Sequence, residues 1–244
     1  MNYSFFSGTE RSDLFDLQSV IEWPEFILHD PIGEKYWEVL YEKFPEYQFA
    51  LMEGEEVVGT INSIPLNFDT KNPDFNEKGW DWALEKGFND LAQGKMPTVL
   101  CGLQIGIGKV YRSKGISSLL IEKMRHIAAG HHFKRLILPI RPTLKHKYPL
   151  IPMEEYIRWQ TPDGQPYDPW IRIHTRYGAE LISVCHKAMY IPGTIREWET
   201  WCNLSIQSTG KYVFSGGLVP LSANVETGRA EYTEPNVWMI HKLI

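Results

Sequence analysis

The stretch that decides the fold is Val110-Tyr-Arg-Ser-Lys-Gly-Ile-Ser-Ser-Leu-Leu120. An apolar run over 98–107 precedes it and a helical pattern follows it, so a strand, a tight loop and a helix are predicted. In the loop, Arg112, Gly115 and Ser117 have the spacing R-x-x-G-x-S. Backbone N–H groups of such a loop converge at a helix start, where a phosphate or pyrophosphate binds. The stretch therefore predicts an anion site.

The sequence after the loop strengthens this interpretation. Apolar residues recur there on one helical stripe, namely Ile116, Leu119, Leu120, Met124 and Ile127. Gly130 is a plausible end of that helix, and Arg135-Leu-Ile-Leu-Pro-Ile140 has the composition of a buried strand. An ordinary β-α-β crossover without a ligand has the same order of elements, so the loop motif remains a hypothesis that its structural context must test.

This strand-loop-helix-strand unit resembles the acyl-CoA-binding core of the GNAT acetyltransferase superfamily, whose loop pattern is Q/R-x-x-G-x-G/A. Ser117 replaces the last small residue of that pattern. A strand over 3–6, helices over 13–22 and 33–44, and a hairpin over 48–67 would precede the unit in the order that the superfamily shows. The resemblance implies an α/β fold with a mixed, mostly antiparallel sheet flanked by helices.

Parts of the chain go beyond a minimal member of the superfamily. They are the segment 70–97, with a helix predicted over 79–92, the proline-rich segment 143–169, and a C-terminal extension over 194–244. In the first of these, Trp80 and Trp82 are expected to cover the core, because large aromatic side chains stabilise chiefly by burial. We expect residues 1–244 to form a single acyl-CoA-binding domain.

Composition narrows the function. The chain has 244 residues, of which 43% are hydrophobic and 23% charged, as in an ordinary globular protein. Its net charge of −5 disfavours binding to nucleic acid. Three cysteines without a C-x-x-C pair, no visible signal peptide and no membrane-length apolar run favour a cytoplasmic protein without a metal or membrane partner.

The resemblance assigns the cofactor site. It implies that acetyl-CoA or another acyl-CoA binds as a co-substrate to the strand over 98–107 and to the loop after it, through Ile105, Ile107, Arg112, Ser113, Lys114, Gly115, Ile116 and Ser117. The same strand carries Cys101 and Gln104 but neither Asp nor Glu. It therefore offers no carboxylate base, and water or another element would have to take that role.

His174 is the sharpest catalytic candidate. Many members of the superfamily have the pattern Y-x-x-x-G-F, in which the Tyr donates a proton to the departing CoA thiolate. Here Gly178 matches the Gly, Ala179 replaces the Phe and His174 takes the place of the Tyr. A histidine near its ordinary pKa of about 6.5 would act as an acid or a base near neutral pH. Tyr177 is a rival donor, and a packed or solvent-facing helix histidine is the alternative.

Thr143 is the second catalytic candidate, since it follows the strand that ends at Ile140. Together with His174 it resembles the GNAT-like loading and decarboxylase domains of polyketide synthases. The alternative for Thr143 is a turn or helix-capping residue.

The leading function is acyl transfer from acyl-CoA to an unknown acceptor, a small molecule or a carrier protein. The rivals are decarboxylation of a malonyl-CoA-type thioester, with or without transfer, and a non-catalytic acyl-CoA-binding module. The oligomeric state stays open.

Overall fold

The computed structural model describes residues 3–17 and 21–243. Within those ranges the strands are β1 Tyr3–Ser7, β2 Gln48–Glu53, β3 Glu56–Leu66, β4 Val99–Ile107, β5 Arg135–Ile140, β6 Ala179–Thr194, β7 Gly210–Tyr212, β8 Leu221–Asn224 and β9 Arg229–Lys242. The helices are α1 Leu14–Leu17, α2 Pro31–Lys43, α3 Gly79–Ala92, α4 Ile116–Gly130, α5 Met153–Tyr156, α6 Pro169–Arg176 and α7 Ile195–Cys202.

The strands form one mixed sheet in the order β1-β2-β3-β4-β5-β9-β8-β7. Only β4 and β5 are parallel; the other neighbours are antiparallel. The long strand β9 pairs with β5 through its second half and with β8 through its first, while β6 covers its other edge. The predicted α/β fold, with a mostly antiparallel sheet between helices, is confirmed.

Helices cover both faces of the sheet. Because successive side chains of a strand point to opposite faces, each layer of helices contacts alternate residues of a strand. Trp238 of β9 points to the α3 layer, where it packs against Trp82 at a ring separation of 5.9 Å. His241, of opposite parity on the same strand, points to the α6 layer. The sheet therefore separates an α2–α3 face from an α4–α6 face. None of the helices in the described ranges is long and apolar enough to span a bilayer.

Most predicted elements lie within a few residues of the observed ones. The helix over 79–92 and the strand over 135–140 have the predicted bounds. Of the helix predicted over 13–22, only α1, Leu14–Leu17, is observed; residues 18–20 lie outside the described part of the chain, and 21–22 are not helical. The capping box at Thr194 is present, since Oγ1 of Thr194 accepts from the Glu197 N–H and the Glu197 carboxylate accepts from the Thr194 N–H.

The sequence predicts one strand over 211–221, and this prediction is wrong. The chain forms the short strands β7 and β8 with a loop between them. Phe214 and Leu218 of that loop are buried, and the Leu218 N–H donates to the hydroxyl of Tyr232 at 2.7 Å. Burial of these side chains and this hydrogen bond hold the segment as a loop, which its apolar composition alone could not distinguish from a strand.

Candidate active site

The central feature of the site is the divergence of β4 from β5. The two strands pair only at Leu100–Leu136 and Cys101–Ile137. β4 continues to Ile107 on its β3 side, so its other edge from Gly102 onward has no strand against it within the described pairing. We call the gap between 102–107 of β4 and 138–140 of β5 the β4–β5 cleft. Its β4 edge offers backbone N–H and C=O groups to an extended ligand.

A bulge lies at the start of this free edge. Gln104 of β4 pairs with Asn62, but Ser63 pairs with Gly102, so Leu103 is an extra residue. A bulge redirects the local backbone groups and interrupts the ladder. The indole N–H of Trp80 donates to the carbonyl of Leu103 at 3.0 Å. Trp80 thus fixes the bulge from α3, in addition to covering the core as predicted.

The predicted anion-binding loop, here called the anion loop, follows β4 and is open to solvent. Arg112, Ser113, Lys114 and Gly115 are all exposed. Gly115 has φ +78° at the start of α4, and a Cβ added there would meet nothing within 4 Å. Glycine is therefore favoured at position 115 by the left-handed backbone conformation, and not by a lack of space for a side chain. The Ser118 N–H donates to the Gly115 carbonyl at 3.1 Å, which forms the first turn of α4.

The other predicted cofactor residues have mixed exposure. Ile105 and Ile107 are half-buried on the free part of β4, and Ser117 is half-buried in the first turn of α4. Ile116 is buried and belongs to the main core. The free edge of β4 thus leads directly into the exposed loop, and the buried side chain of Ile116 packs the start of α4 into the core.

His174 does not lie at an open surface. It is 1% exposed, and its Nδ1 atom is 3.0 Å from Nε2 of His241 in β9. The ring also packs edge-on against Trp170 at 4.7 Å. Burial, and then the neighbouring His241, lower the pKa of His174 to about 3. The imidazole is therefore neutral near pH 7, and it is not the freely titrating histidine that an ordinary pKa implied.

Tyr177 joins α6 to α4 through its side chain. It is the C-cap of α6, and its hydroxyl donates to Oε1 of Glu122 in α4 at 3.2 Å. The next residue, Gly178, has φ +81° and turns the chain into β6. Tyr177 is half-buried, so its phenol is more accessible than the imidazole of His174.

Thr143 is exposed, and its carbonyl accepts from Nδ1 of His146 at 2.9 Å. The next N–H, of Leu144, donates to Asp168, which caps α6. Thr143 therefore lies beside the first turn of α6, and His174 lies about 9 Å farther along the helix axis, at ~1.5 Å per residue. No hydrogen bond joins Thr143 to His174 in the described residues, so any shared role requires a ligand between them.

Two basic residues after β5, Arg141 and Lys145, form hydrogen bonds within the protein interior. Arg141 binds the buried Glu234 of β9 through two hydrogen bonds of 2.7 and 3.0 Å. The ammonium group of Lys145 donates to the carbonyls of Tyr148 and Leu218, and burial lowers the pKa of Lys145 to about 8. These contacts attach the 143–169 segment to the C-terminal extension.

The sequence did not reveal the contacts of Gln104 or the presence of His241 beside His174. Gln104 was noticed, but not its contacts: its carbonyl accepts from the Trp23 indole at 3.0 Å, and its amide donates to Thr60 at 3.2 Å. His241 was missed altogether, since nothing around it in the sequence marks it. The alternation of β9 places it opposite α6, but only the register of that strand with β5 and β6 could reveal this.

Comparison with known proteins agrees with this geometry. The sequence profile of the acetyltransferase (GNAT) family matches residues 17–149. The chain is 31% identical over 275 aligned residues to the arginine N-acetyltransferase avaD of Aspergillus versicolor, covering 99% of this chain and 94% of that relative.

Two solved structures share the whole fold. The loading GNATL domain of CurA from Lyngbya majuscula has a TM-score of 0.63 and 16% identity, covering 99% of this chain and 98% of that one. The GphF GNAT-like decarboxylase, in complex with isobutyryl-CoA, has a TM-score of 0.58 and 14% identity with full coverage of both chains. At these identities the likeness is one of fold, and it extends to the segments that a minimal member lacks.

Proposed function

Since this chain belongs to the acetyltransferase (GNAT) family, whose members use acyl-CoA, we propose that it transfers an acetyl group from acetyl-CoA to a nitrogen of arginine or of an arginine-like amine. We infer the acceptor from the 31% identity, over 99% of the chain, to a protein named as an arginine N-acetyltransferase. The observations that support the donor are the open anion loop and the free edge of β4.

The donor half of the site follows from these two features. The exposed loop of Arg112, Ser113, Lys114 and Gly115, with Ser117 in the first turn of α4, would hold the pyrophosphate with backbone N–H groups and two cationic side chains. The pantetheine arm would extend along Ile105 and Ile107, where β4 lacks a neighbouring strand in the described pairing. The thioester would then reach the Leu103 bulge.

The chemical step needs three groups. The neutral acceptor nitrogen attacks the thioester carbon and gives up a proton to water, because β4 carries no carboxylate base. The carbonyl oxygen gains negative charge until the C–S bond breaks, and the CoA thiolate leaves and takes a proton. We assign proton donation to the phenol of Tyr177, because it is half-buried, whereas His174 is buried, and because its partner Glu122 is exposed. The hydroxyl of Thr143 is assigned to the acyl oxygen. Neutral His174 is assigned a hydrogen-bonding role rather than a proton-shuttling one.

A second candidate is decarboxylation of a malonyl-CoA-type thioester, with or without transfer to a carrier protein. The observation that favours it is the state of Gln104. This residue stands at the β4 bulge without a negative charge, and both ends of its amide are already engaged by Trp23 and Thr60. Loss of carbon dioxide needs hydrogen-bond donors for the enolate oxygen but no base on this strand.

One experiment tests the proposal against both alternatives. The protein is incubated with acetyl-CoA and either arginine, lysine or citrulline, and separately with malonyl-CoA alone, and the products are followed by mass spectrometry. We expect acetylated arginine with equimolar free CoA, and little product from citrulline, which has the same α-amine without the charged guanidinium. Conversion of malonyl-CoA to acetyl-CoA instead would establish the second candidate. Binding of CoA without turnover of either thioester would establish a non-catalytic module.

A further inference from the structure

The segment 21–24 lies against β4 beside the β4–β5 cleft. A Cβ added at Gly106 would be 2.7 Å from Cγ2 of Ile21, so this side chain rests on the Gly106 backbone. Two residues farther on, the indole N–H of Trp23 donates to Oε1 of Gln104 at 3.0 Å. The segment therefore follows the stretch of β4 that has no strand on its other edge within the described pairing.

The other end of the same segment reaches the end of β5. A Cβ added at Gly216 would be 3.2 Å from Cγ of Pro24. The carbonyl of Gly216 accepts from the guanidinium of Arg141 at 2.6 Å, and Arg141 is the first residue after β5. The segment thus spans the gap that opens between the two strands after their last pair, Cys101 with Ile137.

The segment lies on the face of the sheet opposite to α4. A Cβ added at Gly59 would be 3.0 Å from Leu120 of α4, and Gly59 pairs with Ile107. Ile107 therefore faces α4, on the path that is proposed for the pantetheine arm. Gly106, against which Ile21 rests, faces the other side of the sheet, because neighbouring residues of a strand alternate. A second substrate on this side would approach the thioester through the gap, from the face opposite to CoA.

The ring of Trp23 has no aromatic neighbour. Every other tryptophan within residues 3–17 and 21–243 has its ring beside another aromatic ring. Trp23 makes no such contact there and packs against none of the hydrophobic clusters. It is half-buried, and its indole N–H is held by Gln104. Because large aromatic side chains ordinarily stabilise by burial, an oriented and partly exposed ring beside the cleft is typical of a surface that binds a ligand.

We propose that Trp23 selects a cationic acceptor, by holding the guanidinium group of that substrate against its ring. A cation over the face of an aromatic ring is attracted by the negative charge of the π system, and indole is the strongest of the three aromatic side chains in this contact. A planar guanidinium also stacks flat on a ring. Trp23 is thus a specificity-determining residue on the acceptor side of the cleft.

The charges around Trp23 allow a bound cation. The guanidinium of Arg141, at the far end of the segment, is 2.7 Å from the carboxylate of the buried Glu234 and is therefore neutralised. Glu22, next to Trp23 in the chain, is exposed and lies 3.8 Å from Lys109. An exposed ion pair of this kind contributes little, so the Glu22 carboxylate remains available to attract a cationic ligand.

The guanidinium group is suited to recognition and the α-amine to reaction. A guanidinium keeps its proton at every physiological pH, so it has no free lone pair with which to attack the thioester. The α-amine loses its proton far more readily and is the nucleophile in this assignment. The choice of arginine as the acceptor rests on the proposed function, whereas the contact between Trp23 and a guanidinium is measurable without turnover.

Calorimetric titration of the protein saturated with CoA, using arginine and citrulline in turn, tests this contact. Citrulline replaces the charged guanidinium by a neutral urea group of similar shape. We expect Trp23→Leu to weaken the binding of arginine roughly 5- to 30-fold, as loss of a cation–π contact does, and to weaken that of citrulline much less. Trp23→Phe keeps a ring but loses the hydrogen bond with Gln104, and its ratio of arginine to citrulline affinity should lie between the other two.

Trp201→Leu is the matched control. Trp201 is also half-buried, but it stacks on His29 and packs edge-on against Trp198, so its loss should leave the affinity ratio unchanged. Selection by Trp23 would be refuted by an unchanged ratio in both Trp23 variants, by an equal fall in the Trp201 variant, or by failure of arginine to bind the wild-type complex with CoA. If Trp23→Leu does not fold, the Trp23→Phe ratio decides.

Acetylation assays on the same samples report separately on the proposed function. Selective binding of arginine through Trp23 without acetylation would contradict the proposed function and leave this contact standing. Acetylation of arginine with the same preference over citrulline in the wild type and both Trp23 variants would do the reverse.

Discussion

The carboxyl groups of Asp30 and Asp81 are neighbours in the interior between α2 and α3. Oδ1 of Asp30 accepts from the Gly33 N–H at 2.8 Å, and Oδ2 of Asp81 accepts from the Tyr190 N–H at 3.1 Å. The remaining oxygen of each carboxyl group is buried, with no donor among the described residues. We therefore expect one proton on Asp81 to be shared between these two oxygens. The pair joins the helix α2 cap to β6 through α3.

This pair predicts a stability that falls as the pH rises from about 4 to about 9. Burial raises the pKa of Asp30 to about 6, and burial together with the charge of Asp30 raises the pKa of Asp81 to about 9. An unfolded aspartate has a pKa of about 3.9. The folded protein therefore binds more protons than the unfolded chain above that value, and the free energy of unfolding falls as the pH rises through both folded-state values.

Asp81→Asn keeps a donor toward Asp30 and should flatten the decline in melting temperature between pH 6 and 9. Asp74→Asn, at an exposed position, is the control; equal slopes in both variants would refute the shared proton.

Gly115→Glu should abolish most CoA binding, because it places a negative charge at the anion loop. Gly54→Glu is a matched control, since Gly54 also has a positive φ, +63°, and open space around an added Cβ. Both variants carry the backbone strain of about 1–2 kcal/mol for a side chain in the left-handed region. Calorimetric titration with CoA should thus separate them, with near-normal affinity for the Gly54 variant only. Equal affinities would remove the loop from the cofactor site.

Gly102→Ala should destabilise the protein at the apex of the β4–β5 cleft. An added Cβ would lie 2.7 Å from both Leu138 Cδ2 and Met124 Sδ, and overpacking of this kind costs typically about 1–3 kcal/mol. Because Met124 belongs to α4, relief of the clash would also shift the helix that carries the anion loop. Urea unfolding should show the loss, and CoA affinity should fall with it. Gly130→Ala, whose Cβ would meet nothing within 4 Å, should keep both close to wild type.

Glu234→Gln should lower the free energy of unfolding more than the loss of a surface ion pair does. Glu234 is fully buried and holds Arg141 through two hydrogen bonds, while the hydroxyl of Tyr232 donates to it at 2.8 Å. Removal of its charge leaves the Arg141 guanidinium uncompensated, and such a change costs about 3–5 kcal/mol. Glu180→Gln breaks the exposed pair with Lys242 and should cost far less. A similar loss in both variants, measured by urea unfolding, would contradict this account.

Tyr177→Phe should slow the chemical step while CoA affinity stays near normal. Loss of a general acid lowers rates by roughly 10²–10⁴-fold, and this phenol is more accessible than the imidazole of His174. Single-turnover kinetics with acetyl-CoA and calorimetry with CoA separate the two effects. Tyr190→Phe, which loses only the contact with Glu231 at the far sheet edge, is the control. A rate within a few-fold of wild type would assign the proton to another group.

The sequence by itself determined the core of the fold. The β4–loop–α4–β5 unit was readable because its signals are local: an apolar run, a glycine before a helical stripe and a second apolar run lie within 43 residues. The capping box at Thr194 is equally local, since its two partners are three residues apart. Such patterns specify an element before any other part of the chain is considered.

Only the tertiary structure decided the chemistry of the site. His174 matched a family position in sequence, yet its state depends on His241, 67 residues away. The pairing of Asp30 with Asp81 likewise needs α2, α3 and β6 together. The physical reason is that strand register selects which side chains meet: a slip of one residue in β9 would turn His241 to the opposite face of the sheet. Burial then changes the pKa of each group that it brings together, and composition does not encode that burial.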